Sequence, residues 1–325
     1  MANRRPFMGI VYLLAAFTLA GTSVIAARFV ADHLGAFTIT AVSLLFAMAC
    51  LVPLCGRKLL SQVRTLRLPQ LLALALQALC GIFLFRLFLL YGLARTSASE
   101  AGILTGATPA ITALLAAVAL KERLYGAKLI GILCTVAGIS AIQGILSPGA
   151  GMTLSHVGGN LLVLCAAASE SIFNVLSRRF AVRTEAGDQQ AMDPLVQTTL
   201  VVGIALALSA VPALFEQPLA RLQALELTQW LALFWYGAFV TALAFLCWYH
   251  GIRRCGAVTA AAFCGMMPLT AMVLSALVLR EHLQWPQWVG GGLVVLGMVV
   301  IALPGQRAYA GHATVPASPA PPGGH

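Results

Sequence analysis

Ten runs of about 20 apolar residues follow one another along this chain, and that pattern constrains the fold more than any other feature. They cover approximately residues 8–27, 34–55, 70–91, 98–120, 126–146, 156–177, 193–215, 229–250, 257–279 and 285–303. About 20 helical residues cross a hydrocarbon core of roughly 30 Å, so each run is long enough to span a bilayer. No run alternates apolar with polar residues, which argues against barrel strands and predicts helices. The chain is 60% hydrophobic and 9% charged, a balance that suits a membrane as solvent. The expected class is an all-α integral membrane protein with ten transmembrane helices.

Little sequence is left for anything else. The longest connection, 178–192, is too short for a folded domain, and 304–325, rich in Pro, Ala and Gly, reads as a disordered cytoplasmic tail. Arg4 and Arg5 precede the first run in the manner of a secretory signal. With nine further spans downstream, an uncleaved first helix is expected.

The net charge of +10 suggests nucleic acid until its distribution is considered. With the N-terminus inside, the cytoplasmic segments carry 15 of the 20 Lys and Arg residues, and the outer loops hold Arg28, Arg95, Arg221 and Arg280. The remaining one, Arg86, falls well inside a span. Positive charge gathers on the cytoplasmic side of membrane proteins, so both termini are expected there, in a multi-pass protein of the cytoplasmic membrane.

The chain also repeats itself. A shift of 159 residues places Gly92 on Gly251, Gly106 on Gly265, Pro109 on Pro268, Glu122 on Glu281, Gly131 on Gly290 and Gly138 on Gly297. Over the 48 positions from Gly92 to Ile139, 14 are identical. Shared Leu and Ala mean little in so apolar a chain, whereas shared Pro, Gly and Glu at fixed spacing do. Two units follow, 1–146 and 156–303, of five spans each. Five is odd, so equivalent segments enter the membrane from opposite sides. The charges agree: Arg123 and Lys128, inside, correspond to His282 and Gln287, outside. Inverted repeats of this kind build carriers that alternate between two open faces around a midplane site.

Five plus five spans, a proline within the fourth and ninth, a Glu closing each (LKERL, LREHL) and a Gly-rich span after it resemble the EamA-type drug/metabolite transporters. The resemblance covers about residues 8–303. AARFV (26–30) and SRRFA (177–181) are the best internal match between the first and sixth spans. It implies a secondary transporter of amino acids, other metabolites or drugs. Members of the family often carry Trp–Gly near the middle of the first helix. Here Ala20–Gly21 stands there, and the corresponding part of the sixth span has Glu170.

A charge in hydrocarbon is expensive, so polar residues inside spans are the first candidates for a site. Glu170, Asn174 and Ser177 share one face of the sixth span at i, i+4 and i+7. Glu170 lies roughly 21 Å from the outer end at 1.5 Å per residue. Two readings stand: a carboxyl that carries the coupling proton, or a neutral Glu that locks two helices by hydrogen bonds. Arg86 lies about 9 Å below the outer surface on the same arithmetic. It reads either as the structural partner of Glu100 across the turn into the fourth span, or as a site that recognises anions. Pairing with Glu170 is disfavoured by an estimated depth difference of about 12 Å.

Pro109 and Pro268 each remove a helix donor and predict a bend that gates or lines a cavity. Small residues beside them, including Gly106 and Gly265, permit close helix approach. Met266 and Met267 read equally as adaptable cavity lining or as packing. Tyr236, within the eighth span, joins the substrate-site candidates, while Trp248 and Tyr249 at its end read as an interfacial belt. Glu122 and Glu281 are expected to pair locally with Lys121, Arg123 and Arg280.

The eight cysteines show neither metal nor disulfide spacing, and no phosphate loop or nucleophile elbow occurs. The expectation is therefore a carrier and not an enzyme, without metal, cofactor, ATP or nucleic acid. It is expected to export small metabolites such as amino acids, driven by protons, as a monomer or homodimer in the lipid bilayer. Drug efflux and metabolite uptake are the alternatives, ahead of a channel or an intramembrane enzyme.

Overall fold

A computed structural model describes residues 4–119, 126–142, 154–185, 192–248, 250–251, 263 and 266–302. Glu122, Tyr249, Gly265 and the tail lie outside the described residues, as does the side chain of Ser177. The protein is helical, with no strand among the described residues. Six helices are long and apolar enough to cross a membrane: α1 (Phe7–Ala31), α2 (Ala36–Cys55), α3 (Leu68–Leu93), Ser155–Leu176, Leu195–Leu214 and Leu227–Trp248. It is a multi-pass membrane protein.

The fourth predicted span is divided. It forms α4 (Ala98–Thr105) and α5 (Thr108–Ala119), with a turn at Gly106 and Ala107 between them. The helix tightens before it breaks, because the Gly106 and Ala107 N–H groups reach back three residues to Ile103 O and Leu104 O. Pro109, without an N–H, cannot supply the regular four-residue bond to Thr105 O. Then follow α6 (Gly126–Ile142), α7 (Leu154–Glu185), α8 (Pro194–Leu214), α9 (Leu227–Trp248), α10 (Met266–Val278) and α11 (Trp285–Ala302).

Glycines decide how closely some of these helices approach. On α6 and α11, a Cβ at Gly138 would lie 2.5 Å from Gly290 O, and one at Gly297 would lie 2.5 Å from Gly131 O. Small residues let helix backbones touch where lipid offers no hydrophobic drive for association. Elsewhere, Gly21 of α1 admits the backbone of Met267 on α10, where a Cβ would lie 2.6 Å from the Met267 carbonyl.

Two details of α3 and α9 recur at the sequence offset of 159. The Gln70 side-chain oxygen accepts the Arg67 N–H at 3.0 Å, and that of Gln229 accepts the Glu226 N–H at 2.9 Å. Both helices then widen into i→i+5 bonding, over Leu79–Leu84 and Trp235–Leu243. Such π segments are uncommon and often mark functional sites.

Candidate functional site

Arg86 does not pair with Glu100. The guanidinium is buried between α2, α3 and α9, where Nη1 donates to Ser43 Oγ at 2.7 Å and Nη2 to Thr241 Oγ1 at 2.6 Å. Its carbon centre stands 4.1 Å above the centroid of the Tyr236 ring, within cation–π range. Both hydroxyls hand their own hydrogen to backbone carbonyls, Ser43 to Thr40 and Thr241 to Tyr236. Among the described residues no carboxylate lies within ion-pair distance of Arg86. The Tyr236 hydroxyl is buried without a hydrogen-bond partner among the described residues.

Glu100 belongs to a different cluster, at the ends of α3, α4, α7 and α11. Its carboxylate accepts from His156 Nε2 at 2.8 Å, Thr96 at 2.9 Å, Asn160 at 3.3 Å and Gln287 at 3.2 Å. The short turn from Gly92 to Glu100 brings the two residues close in sequence, but the partners of Arg86 lie on α2 and α9. Glu281 also departs from expectation. Its carboxylate accepts the Ala98 and Ser99 N–H groups at 2.9 and 3.0 Å, capping α4 from the far half of the chain. Backbone donors at a helix start attract an anion more strongly than the exposed Arg280 beside it does.

Glu170 lies where α7 crosses the break between α4 and α5. It is half-buried, and its Oε2 is 2.9 Å from Thr108 Oγ1, the residue just before Pro109. Thr108 Oγ1 also donates toward Thr105 O at 2.9 Å, the carbonyl that Pro109 leaves without a regular partner. Ser171 adds a bond from α7 to Thr108 O at 3.0 Å. Asn174, one turn beyond Glu170, is partly buried. Glu170 and Arg86 are thus held by separate sets of partners.

Met266 and Met267 pack with Trp248 and Phe263 against Leu13 and Phe17, the packing reading of the two. Pro268 is buried at the third residue of α10. A small cavity opens between α3, α7, α8 and α9, lined by Gln77, Gly81, Phe173, Gln197, Thr198 and Phe245. The Gln77 side-chain nitrogen is buried there without a partner among the described residues. Ser43, Thr108 and Thr241 escaped the sequence reading because a lone hydroxyl in an apolar run carries little signal. Only Thr108, immediately before a mid-span proline, offered one.

The model of the EamA-like transporter family matches this chain twice, over residues 7–143 and 157–303. The chain belongs to that family. The protein is 28% identical to the uncharacterized transporter YetK of Bacillus subtilis over 295 residues, covering 90% of this chain and 86% of that relative. It is 30% identical over 203 residues to the aromatic amino acid exporter YddG of Ancylobacter novellus, covering 61% of this chain and 63% of that one. A solved crystal structure superposes with a TM-score of 0.58 at 23% identity, over 90% of this chain and 95% of the other, and shares the fold. As an EamA-like transporter, the protein works on small molecules from within lipid.

Proposed function

We propose that this EamA-like protein is a proton-coupled secondary transporter that exports small amphipathic metabolites, amino acids among them, across the cytoplasmic membrane by alternating access. The observation that carries the coupling is the bond from Glu170 to Thr108. A titratable carboxyl is fastened to the point where a span is already broken, so gain or loss of one proton acts where the bundle can bend.

The architecture proposed with it is ten spans arranged as two inverted five-helix repeats, 1–146 and 156–303, with both termini cytoplasmic. Three relations favour it. The capping glutamines of α3 and α9 sit 159 residues apart, and the two family matches, 7–143 and 157–303, divide the chain at the same place. In addition, Gly138 meets Gly290 while Gly131 meets Gly297, a reciprocal contact between residues equivalent by the same offset. Reciprocity of that kind is the mark of a twofold interface.

Arg86 is the candidate for a substrate carboxylate. A buried guanidinium with no counter-ion among the described residues is costly inside a bilayer, and an entering anion would offset the cost. The relative that exports aromatic amino acids makes tryptophan the first substrate to try. Uptake of labelled tryptophan into proteoliposomes under an imposed pH gradient tests the reading. The parent should accumulate it, and Glu170→Gln should not.

A further inference from the structure

We infer that Thr108 is the positioning residue that converts the protonation state of Glu170 into the shape of the α4–α5 break. The inference rests on the proton-coupled reading of Glu170 and adds the link between proton and backbone. The Thr108 hydroxyl lies 2.9 Å from Glu170 Oε2 and 2.9 Å from Thr105 O. It has one hydrogen and can donate to only one of them.

With Glu170 protonated, both contacts are satisfied. The Glu170 O–H donates to Thr108 Oγ1, and the Thr108 O–H donates to Thr105 O. When the carboxyl releases its proton to water, it becomes an acceptor only and takes the Thr108 hydrogen. Thr105 O then loses the side-chain donor that stands in for the missing Pro109 N–H. A buried carbonyl without a partner is costly, so the break must open toward water or shift to find a new donor. Protonation closes the turn and deprotonation loosens it.

The corresponding contact in the other half of the molecule cannot do this. There the residue before Pro268 is Met267, whose backbone is packed against Gly21 and whose thioether has no hydrogen to donate. The device is therefore one-sided, as a single coupling proton requires. Thr112, one turn beyond Thr108 on the same face of α5, adds a buried hydroxyl with no partner among the described residues, a second polar group for water that enters an opened break.

Helix α7 packs against α3, α4 and α5. The other titratable or charged residues on these three are Cys80, Arg86, Tyr91 and Glu100, and α5 has none. On α7 itself, His156 and Cys165 precede Glu170. Arg86 is engaged by Ser43 and Thr241, and Glu100 with His156 by the cluster at the span ends. Ser171 on α7 also reaches the break, at Thr108 O, but the hydroxyl of Thr108 is the group that Glu170 itself touches.

The test uses the full-length protein in lipid nanodiscs and needs no substrate. Infrared pH titration follows the carboxylic C=O band, assigned to Glu170 by its loss in Glu170→Gln. Amide hydrogen exchange over residues 103–111, corrected for the intrinsic effect of pH, follows the break. In the parent, exchange should rise severalfold with the same midpoint as the Glu170 band. Thr108→Ser, which keeps the hydroxyl, should behave the same way. In Thr108→Val and Thr108→Ala the band should still titrate while the pH-dependent step in exchange disappears. Glu170→Gln, whose amide donates at every pH, should hold the break at its protected level throughout. A full exchange step in the Val and Ala variants overturns the role of Thr108 and leaves the proton reading standing. A parent without a titrating Glu170 band overturns both.

Discussion

Arg86 of α3 reaches Thr241 of α9 at 2.6 Å, tying together two helices whose capping glutamines lie 159 residues apart. The bond crosses between the halves of the chain, and the guanidinium charge is left facing hydroxyls and a ring. Arg86→Met keeps the stem and removes the charge. Because Ser43 and Thr241 already donate to backbone carbonyls, no donor is stranded, and thermal stability should stay near that of the parent. Tryptophan transport should fall by about 10- to 100-fold, the value of one charge-assisted bond, while tryptamine, without the carboxylate, is spared. A melting curve with two uptake assays checks both halves of the expectation.

Glu281 supplies a cap to a helix that starts almost two hundred residues earlier. Glu281→Ala removes the acceptor for the Ala98 and Ser99 N–H groups and should cost roughly 1–2 kcal/mol. Arg280→Ala should be close to neutral. Thermal unfolding of the purified variants in one detergent separates the cap from a local ion pair.

These two residues show where the sequence stopped being informative. Apolar runs of bilayer length gave the six helices long enough to cross a membrane, because hydrocarbon thickness allows few other lengths. Pro109 marked the division of the fourth span, because a proline there must leave Thr105 O without its donor. Glu170 stood out because a carboxyl in hydrocarbon is rare. The partners of Arg86, Glu100 and Glu281 were not legible, since each is chosen by a helix distant in sequence. Nearness along the chain suggested Arg86 with Glu100 and Glu281 with Arg280, and tertiary packing overrode both.

Contact between α6 and α11 gives a prediction about packing. A side chain at Gly138 must displace the Gly290 backbone, so Gly138→Val should destabilise by about 1–3 kcal/mol. Gly292 has open space where its Cβ would be, and Gly292→Ala should be tolerated. Melting temperatures of the two variants make the comparison.

Orientation is tested by labelling. In a background without the eight native cysteines, single cysteines at 147–155 or 216–226 should react with an impermeant reagent on intact cells. Those at 178–192 should react only after permeabilisation. The opposite pattern would reverse the proposed topology.

Proton coupling at Glu170 is tested most directly by comparing two modes of transport in proteoliposomes of the parent and Glu170→Gln. Gln keeps the shape and can bond Thr108, but it cannot ionise. Under an imposed pH gradient the parent should concentrate labelled tryptophan and Glu170→Gln should not. Tryptophan exchange without a gradient should survive in the variant, because exchange need not return an empty, deprotonated carrier. Intact pH-driven accumulation in Glu170→Gln would contradict the proton role and leave Glu170 as a bond between helices.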